Sequence, residues 1–412
     1  MCQPVWAQAQ TGHRESARPV NRKPQSYRGV ALIAPYTVPY SRVSERGAAW
    51  FIGRTLAGML AQCGLEKSAV DGLAVSSFTL PPDSVITLTE HFGLQPRWLE
   101  QVPLGGASGV VAMQRAARAV QAGDVEVVAC IGGDTAGTGG FTDLVSNFSN
   151  FTVDAAYPYG AAGPNAAFSL ITRYYMDNYG ATREDFGQIA VAQRYNANHN
   201  ADALFYKKKL DMQGYLAGPP IAGDVHLFDC VMPCAGADGF IVTTVERAQQ
   251  LQVPWVEILS CAEQHNAFPD DPVQFRGGWN YFREDLYDAA GLGPADMHFL
   301  QTYDDYPVIC MLQMEGLGFC DQGEAPAFVR ETPLTFDGRG LPHNTSGGQL
   351  SVGQAGSAGG YLGLVEGLRQ LTDCAGQHQV ASARVGLVSG YGMVNYDRGL
   401  CASAAILRTG GL

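Results

Sequence analysis

The chain has 412 residues, more than one small module needs and enough to bury a sizeable core without disulfide or metal staples. Charged residues make up 16% of it, against a usual figure of about 25%, and there are 50 glycines, a composition that fits extensive burial and tight turns and argues against a disordered chain. With 27 basic against 39 acidic residues the net charge is −12, which disfavours nucleic-acid binding; no apolar run reaches the roughly 20 residues that cross a bilayer, and the N-terminus does not read as a secretory signal.

Residues 1–28 read as a tail. Arg14, Arg18, Arg22, Lys23 and Arg28 face a single acid, Glu15, with no apolar period. A disordered extension is the plain reading; a transit peptide is the alternative, weakened by Pro19 and Pro24. From Gly29 the pattern becomes α/β. A buried strand at 29–35 precedes an amphipathic helix from residue 48, closed by Gly64. A strand at 70–78, a helix at 108–123 and a strand at 125–134 follow, and residues 184–199 and 283–290 have helical patterning. Strands alternating with helices predict a largely parallel sheet with helices on its faces. The ten cysteines are scattered singly with no Cys-x-x-Cys pair, several inside apolar runs such as 125–130. That usage fits reduced cysteines in a cytoplasmic protein and offers no zinc site.

An internal repeat organises the chain. Gly105-Gly106-Ala107-Ser108-Gly109, an apolar helix and a strand ending in glycines recur as Gly356-Ser357-Ala358-Gly359-Gly360, the helical run 361–371 and the strand 384–392. The strand at 254–262 mirrors the first strand of the chain. The expected division is 29–250 and 251–412, two pseudo-symmetric halves forming an α/β/α/β/α layered sandwich whose small-residue helices lie between two sheets.

Five motifs in order carry a family resemblance. They are GGASG at 105–109, LFDCVMPCAGADG at 227–239, TYDDYPVICMLQMEGLGFC at 302–320, LPHNTSGGQLSVGQAG at 341–356 and LVSGYG at 387–392. From about Tyr27 to Arg408 the chain resembles the thiolase superfamily, most closely the sterol-carrier-protein-type thiolases. In that family a cysteine at the start of the buried helix attacks a thioester, activated by a histidine and the helix N-terminus. Here the nucleophile's position holds Gly106, the histidine's position holds Gln354, and the second cysteine's position falls near Ser389–Gly390. Glycine cannot be acylated, and glutamine takes no proton near neutral pH.

The resemblance implies a group of thiolase-like proteins that lack the cysteine. They cleave β-hydroxyacyl-CoA thioesters of steroid, aromatic or branched side chains by retro-aldol chemistry. They work as homodimers built on the first half, with a small partner carrying an OB-fold and a zinc ribbon. No tightly bound cofactor and no metal in this chain are expected; the CoA thioester is the substrate. Such a reaction needs a base for the β-hydroxyl proton and donors for the departing enolate. The expected catalytic set is Tyr303, Asp304, Tyr306, His343, Gln354 and Tyr391, with Asp304 and Asp305 orienting the tyrosines or capping the next helix. Ordinary packing is the plain alternative for each tyrosine, and a structural role the plain alternative for His343. Ser108, Asn344, Ser346, Gly347 and Gly348 are expected near the substrate, and Lys207 and Lys208 at the CoA phosphates, with Arg194 a weaker case and a solvated helix face the alternative. Residues 264–285 read as a substrate-covering loop or a partner surface. Two other functions stay open: a non-catalytic structural subunit of an acyltransferase complex, and acyl transfer by a relocated nucleophile such as Ser108.

Overall fold

A computed structural model describes residues 26–136, 149–161 and 163–411. Most of the expected tail, residues 1–25, lies outside the described residues. The strands are β1 (Val30–Ser41), β2 (Gly72–Ser76), β3 (Trp98–Gln101), β4 (Val128–Asp134), a small hairpin of β5 (Pro220–Ala222) and β6 (Val225–His226), β7 (Ala235–Thr244), β8 (Trp255–His265), β9 (Phe299–Gln301), β10 (Val385–Asn395) and β11 (Arg398–Gly411). The principal helices are α1 (Ala48–Cys63), α2 (Val85–Phe92), α3 (Ser108–Ala122), α4 (Pro164–Tyr179), α5 (Arg183–Ala197), α6 (Trp279–Ala290), α7 (Pro307–Gly316), α8 (Ala325–Glu331) and α9 (Gly359–Leu371).

The main strands run in the order β3-β2-β4-β7-β1-β8-β11-β10-β9. The order β2-β4-β7-β1 on one side is matched by β9-β10-β11-β8 on the other, so the repeat in the sequence is a repeat in the sheet. The halves meet where β1 and β8 touch at a single antiparallel position, Leu32 opposite Val256. Parallel pairing, expected from the alternation of strands and helices, holds at the ends: β2 with β3 and β4, and β10 with β9. The middle is antiparallel: β7 lies antiparallel between β4 and β1, and β11 antiparallel between β10 and β8.

Burial follows the two-residue period of a strand. Val30 and Leu32 of β1, Val128 and Cys130 of β4, and Phe240 and Val242 of β7 face one core. Ala31 and Ile33, Ala129 and Ile131, and Ile241 face another, beneath α1 and α2. In the second half Phe299, Val388, Ala405 and Leu407 join the first of these cores. Leu300, Leu387, Ala404 and Ile406 face a third, under α4, α5, α6, α7 and α8. The layers are therefore helices, half-sheet, α3 with α9, half-sheet, helices. Helices α4 and α5 precede β7 in the chain but pack over the second half-sheet, so sequence order and packing part company there. The helix expected at 283–290 begins earlier, at Trp279, whose fully buried indole donates to the Ser403 carbonyl.

α3 and α9 lie in the central layer between both half-sheets, and they approach to backbone contact. A Cβ added to Gly109 would lie 2.2 Å from the Gly360 carbonyl oxygen, a distance no side chain tolerates without moving a helix. Gly109→Ala is therefore expected to destabilise the fold by about 1–3 kcal/mol, the range of overpacked cores. Urea unfolding should show a lowered midpoint at unchanged slope; an unshifted midpoint would contradict the described helix contact.

Candidate active site

The first turn of α3, the end of β10 and the loop between β9 and α7 converge at Gly106. An added Cβ there would lie 2.2 Å from two carbons of the Tyr303 ring and 2.1 Å from the Tyr391 carbonyl oxygen. The position that would carry a nucleophile is filled by tyrosine. Ser108 does not substitute for it: its hydroxyl is buried, donates to the Val102 carbonyl at 2.9 Å and accepts from the Leu104 N–H at 3.1 Å.

In front of Gly106 and Tyr303 lies a cavity of about 80 Å³. Its polar wall is Tyr303, Asp305, Tyr306 and Gln354; its apolar wall includes Phe78, Pro164, Val231, Met393 and Val394, with Tyr391 beside them. Among the described residues no cysteine, serine or threonine lines it. Cys230 lies close by, but burial pushes its thiol up to about 12, with the charges of Asp229 and Asp305 adding to the effect.

Each wall residue is held by a specific contact. Tyr303 is fixed through its backbone, whose N–H donates to Gln313 Oε1 at 3.1 Å and whose carbonyl accepts from Gln313 Nε2 at 2.6 Å. Its hydroxyl and the Asp305 carboxylate sit on the same Gln354 amide and interact with each other. Gln354 Nε2 donates to Asp305 Oδ1 at 3.0 Å and, more weakly, to the Tyr303 hydroxyl at 3.4 Å. Tyr306 caps α7 ahead of Pro307, its hydroxyl donating to Asn165 Oδ1 and its ring tilted on Phe168 at 4.4 Å. Tyr391 stacks on Trp279 at 5.7 Å; its hydroxyl donates to Gln274 Oε1 at 2.6 Å and accepts from the Gly399 N–H at 2.8 Å. Phe78 is presented by a loop that the buried Asp134 gathers. That carboxylate accepts from the N–H groups of Phe78 and Thr79 at 2.9 and 2.7 Å and from Ser357 N–H at 2.6 Å, tying β4 to the start of α9.

The two neighbouring aspartates separate. Asp304 is enclosed and caps the short helix Gly348–Val352, accepting from the N–H groups of Gln349 at 3.0 Å and Leu350 at 3.2 Å. It does not line the cavity and does not cap α7. Burial pushes its carboxyl up to about 8. Asp305 is half-buried and opens onto the cavity; burial pushes it up to about 7, against the opposing pull of the Tyr303 and Gln354 donors. The Tyr303 hydroxyl stands well above its ordinary value, first through burial and then through the Asp305 charge.

Other expected residues fall elsewhere. His343 is fully buried, with Nε2 2.7 Å from the Thr302 hydroxyl, and burial lowers it to about 3. The structure does not bring it to the cavity. Asn344, Ser346 and Gly348 line a smaller chamber behind Tyr303, and Gly347 packs against Ala197. Lys207 and Lys208 lie outside the cavity, on the Tyr206 and Phe205 rings at 4.8 and 5.7 Å. Arg194 stacks on Phe205 at 4.1 Å and donates to the Ser351 hydroxyl at 3.0 Å. Among the described residues no carboxylate forms an ion pair with it, and burial lowers it to about 10. Residues 264–285 are knitted down: Arg398 donates to the carbonyls of Phe268, Pro269 and Asp271, and Arg276 pairs with Asp271. Sequence reasoning left Asp305 out of the catalytic set and missed Asn165 and Gln274. Tyr303 and Asp305 both line the cavity, while Asp304 between them is turned to the 348–352 helix.

A Thiolase C-terminal domain-like family model matches residues 280–405. The chain is 31% identical over 362 residues to the 17-hydroxy-3-oxo-4-pregnene-20-carboxyl-CoA lyase of Mycobacterium tuberculosis, covering 83% of this chain and 91% of that one. It is 31% identical over 357 residues to the steroid side-chain-cleaving aldolase of Thermomonospora curvata, covering 83% and 90%. Among solved structures it is similar to an Ltp2-ChsH2(DUF35) aldolase, with a TM-score of 0.80, 28% identity and coverage of 92% of this chain and 98% of that chain.

The packing at residue 106 makes a prediction. Gly106→Cys is expected to lower stability by about 2 kcal/mol or more through overpacking. Adding Tyr303→Ala should recover part of the loss, giving a coupling energy of at least about 1 kcal/mol in a double-mutant cycle. Strict additivity by urea unfolding would mean that the ring does not occupy the nucleophile's volume.

Proposed function

The chain belongs to the thiolase-like aldolases, lyases of the thiolase superfamily, and on that premise we propose that it cleaves a β-hydroxyacyl-CoA by a retro-aldol step without a covalent acyl-enzyme. The observation that carries the reading is the tyrosine ring seated in the volume of the missing nucleophile. The cavity in front of it is open, which disfavours a filled, purely structural subunit, and its described lining holds no thiol or aliphatic hydroxyl for acyl transfer.

The substrate we propose is a steroid thioester. The apolar wall of Phe78, Pro164, Val231, Met393 and Val394 suits a fused-ring skeleton. In 17-hydroxy-3-oxo-4-pregnene-20-carboxyl-CoA, the compound in the mycobacterial lyase's name, the 17-hydroxyl is β to the thioester carbonyl. Cleavage of C17–C20 would leave a 17-ketone and a three-carbon acyl-CoA. In this reading Tyr303 meets the β-hydroxyl and Tyr306 and Tyr391 shape the pocket. The uncompensated Arg194, with Lys207 and Lys208 in the neighbouring segment, supports a phosphate-binding role for the CoA end.

The assembly we propose is a homodimer built on the first half, where β3 is, among the described residues, the edge strand of the sheet. A small DUF35-type partner carrying an OB-fold and a zinc ribbon completes it, a reading supported by the pairing of Ltp2 with ChsH2(DUF35) in the similar solved aldolase. All nine described cysteines are free thiols, which supports a cytoplasmic setting.

The test is intact-mass analysis of the full chain, with any co-purifying small subunit, against panels of acyl-CoA and β-hydroxyacyl-CoA. The expected result is an unmodified protein mass with release of a shorter acyl-CoA and a ketone or aldehyde. A stable acyl adduct on this chain would overturn the reading. Tyr303→Phe should lower turnover by at least about 10²-fold, the scale of a lost proton-transfer group, and a near-normal rate would remove Tyr303 from the reaction.

A further inference from the structure

We propose that Asp305 is the proton acceptor of the cleavage and that the Tyr303 hydroxyl hands the substrate's proton to it; the inference rests on the lyase reading above.

Among the described tyrosines of the cavity, Tyr303 alone has a carboxylate behind its hydroxyl. The Tyr306 hydroxyl is committed to Asn165, and the Tyr391 hydroxyl to Gln274 and the Gly399 N–H. Asp304 is committed to the helix at 348 and faces away. Asp305 opens onto the cavity beside Tyr303, and one Gln354 amide nitrogen reaches both, the carboxylate at 3.0 Å and the phenol oxygen at 3.4 Å. The phenol is thus held between the cavity and a carboxylate.

Charge decides which group keeps the proton. The described titratable groups facing Asp305 are Tyr303 and Asp304 on its own segment, Tyr306 at the start of α7, Cys230 from the segment before β7, and Tyr391 on β10. None of them is a cation. A buried phenol without a neighbouring cation, and beside a carboxylate, does not ionise near neutral pH. Asp305, raised by burial to about 7, does. An acceptor poised near the working pH is what general-base catalysis favours.

The step balances. The β-hydroxyl proton moves to the Tyr303 oxygen as the phenolic proton moves to Asp305. The O–H electron pair forms the new C=O bond, the Cα–Cβ bond breaks, and its pair enters the thioester enolate. The proton on Asp305 then returns through Tyr303 to Cα. No oxidant, reductant or co-reactant is consumed. Tyr303 never has to exist as a free tyrosinate.

A raised acceptor is protonated at low pH, so kcat/KM rises as pH rises through the value of Asp305. The experiment measures kcat/KM from about pH 5.5 to 9 for the full chain with any co-purifying small subunit. The probes are 17-hydroxy-3-oxo-4-pregnene-20-carboxyl-CoA and aromatic and branched β-hydroxyacyl-CoAs. Wild type should show a rising limb with its midpoint near 7. Asp305→Asn should lose the limb and at least about 10² in kcat/KM, with Asp305→Glu restoring part of the rate on a displaced limb. The residual activity of Tyr303→Phe should keep the limb, moved to higher pH because one donor to the carboxylate is gone. An Asp305→Asn enzyme that keeps the wild-type limb, or stays within about tenfold of the wild-type rate, overturns the inference and leaves the lyase reading intact. Should that variant not fold, Gln354→Met, which removes the other donor, should also move the limb upward, and an unmoved limb overturns the inference. Wild type that cleaves no probe at any pH overturns the lyase reading and the inference with it.

Discussion

The Tyr303 ring occupies the space into which any side chain at residue 106 would project, and the rest of the site depends on that exclusion. Three segments meet there at backbone distance. A Cβ on Gly392 would lie 2.1 Å from the Leu104 carbonyl oxygen, one on Gly390 2.7 Å from that of Gly106, and one on Gly360 2.4 Å from that of Gly105. Residues without side chains let the starts of α3 and α9 and the end of β10 come this close. The side open to the cavity is closed by the aromatic ring. The bare residue 106 and the seated tyrosine are therefore one packing arrangement, and a cysteine does not fit at Gly106 while the ring stays.

The electrostatics follow from the same closure. A ring, an amide and two aspartates lie close together in a largely buried region, and among the described residues no cation faces them. Burial then raises every acid present, and what distinguishes the groups is their hydrogen bonds. Asp304 is spent on the backbone of the 348–352 turn, where it fixes the loop that carries Gln354. Asp305, one residue on, is left to the cavity. The two adjacent carboxylates are committed to different surroundings, so a two-residue acidic sequence supplies one structural and one cavity-facing carboxylate.

Much of the architecture was legible in the sequence because it is written in short-range patterns. The strand alternation at 29–35 and 125–134 predicts which residues face which core, and the repeat of small-residue turn, helix and strand predicts the matched strand order of the two halves. The antiparallel pairing of β7 was not legible, since nothing local to it states which strands lie beside it. At the site, the replacement at Gly106 and the convergence of Tyr303 and Gln354 could be read from motif order. The fates of His343, Asp304 and Asp305 could not, because they are decided by partners far along the chain: Thr302 for His343, and the 348–352 turn for Asp304. The basic run at 207–209 is visible in the sequence, but its distance from the cavity is a property of the fold.

Gln354 completes the logic of the site. A protonated histidine beside Asp305 would hold the carboxyl at or below its ordinary range, since a cation within hydrogen-bond reach lowers an acid by about one to three units. Such a carboxylate would be a weak base. A neutral amide donates a hydrogen bond without a full charge, so it fixes the position of Asp305 while leaving most of the rise that burial causes. Its second hydrogen reaches toward the Tyr303 oxygen and orients the phenol toward the carboxylate. A site built to activate a thiol needs a charge beside it; a site that moves a hydroxyl proton onto a carboxylate works better without one, and glutamine at this position is the smallest change that satisfies the second requirement.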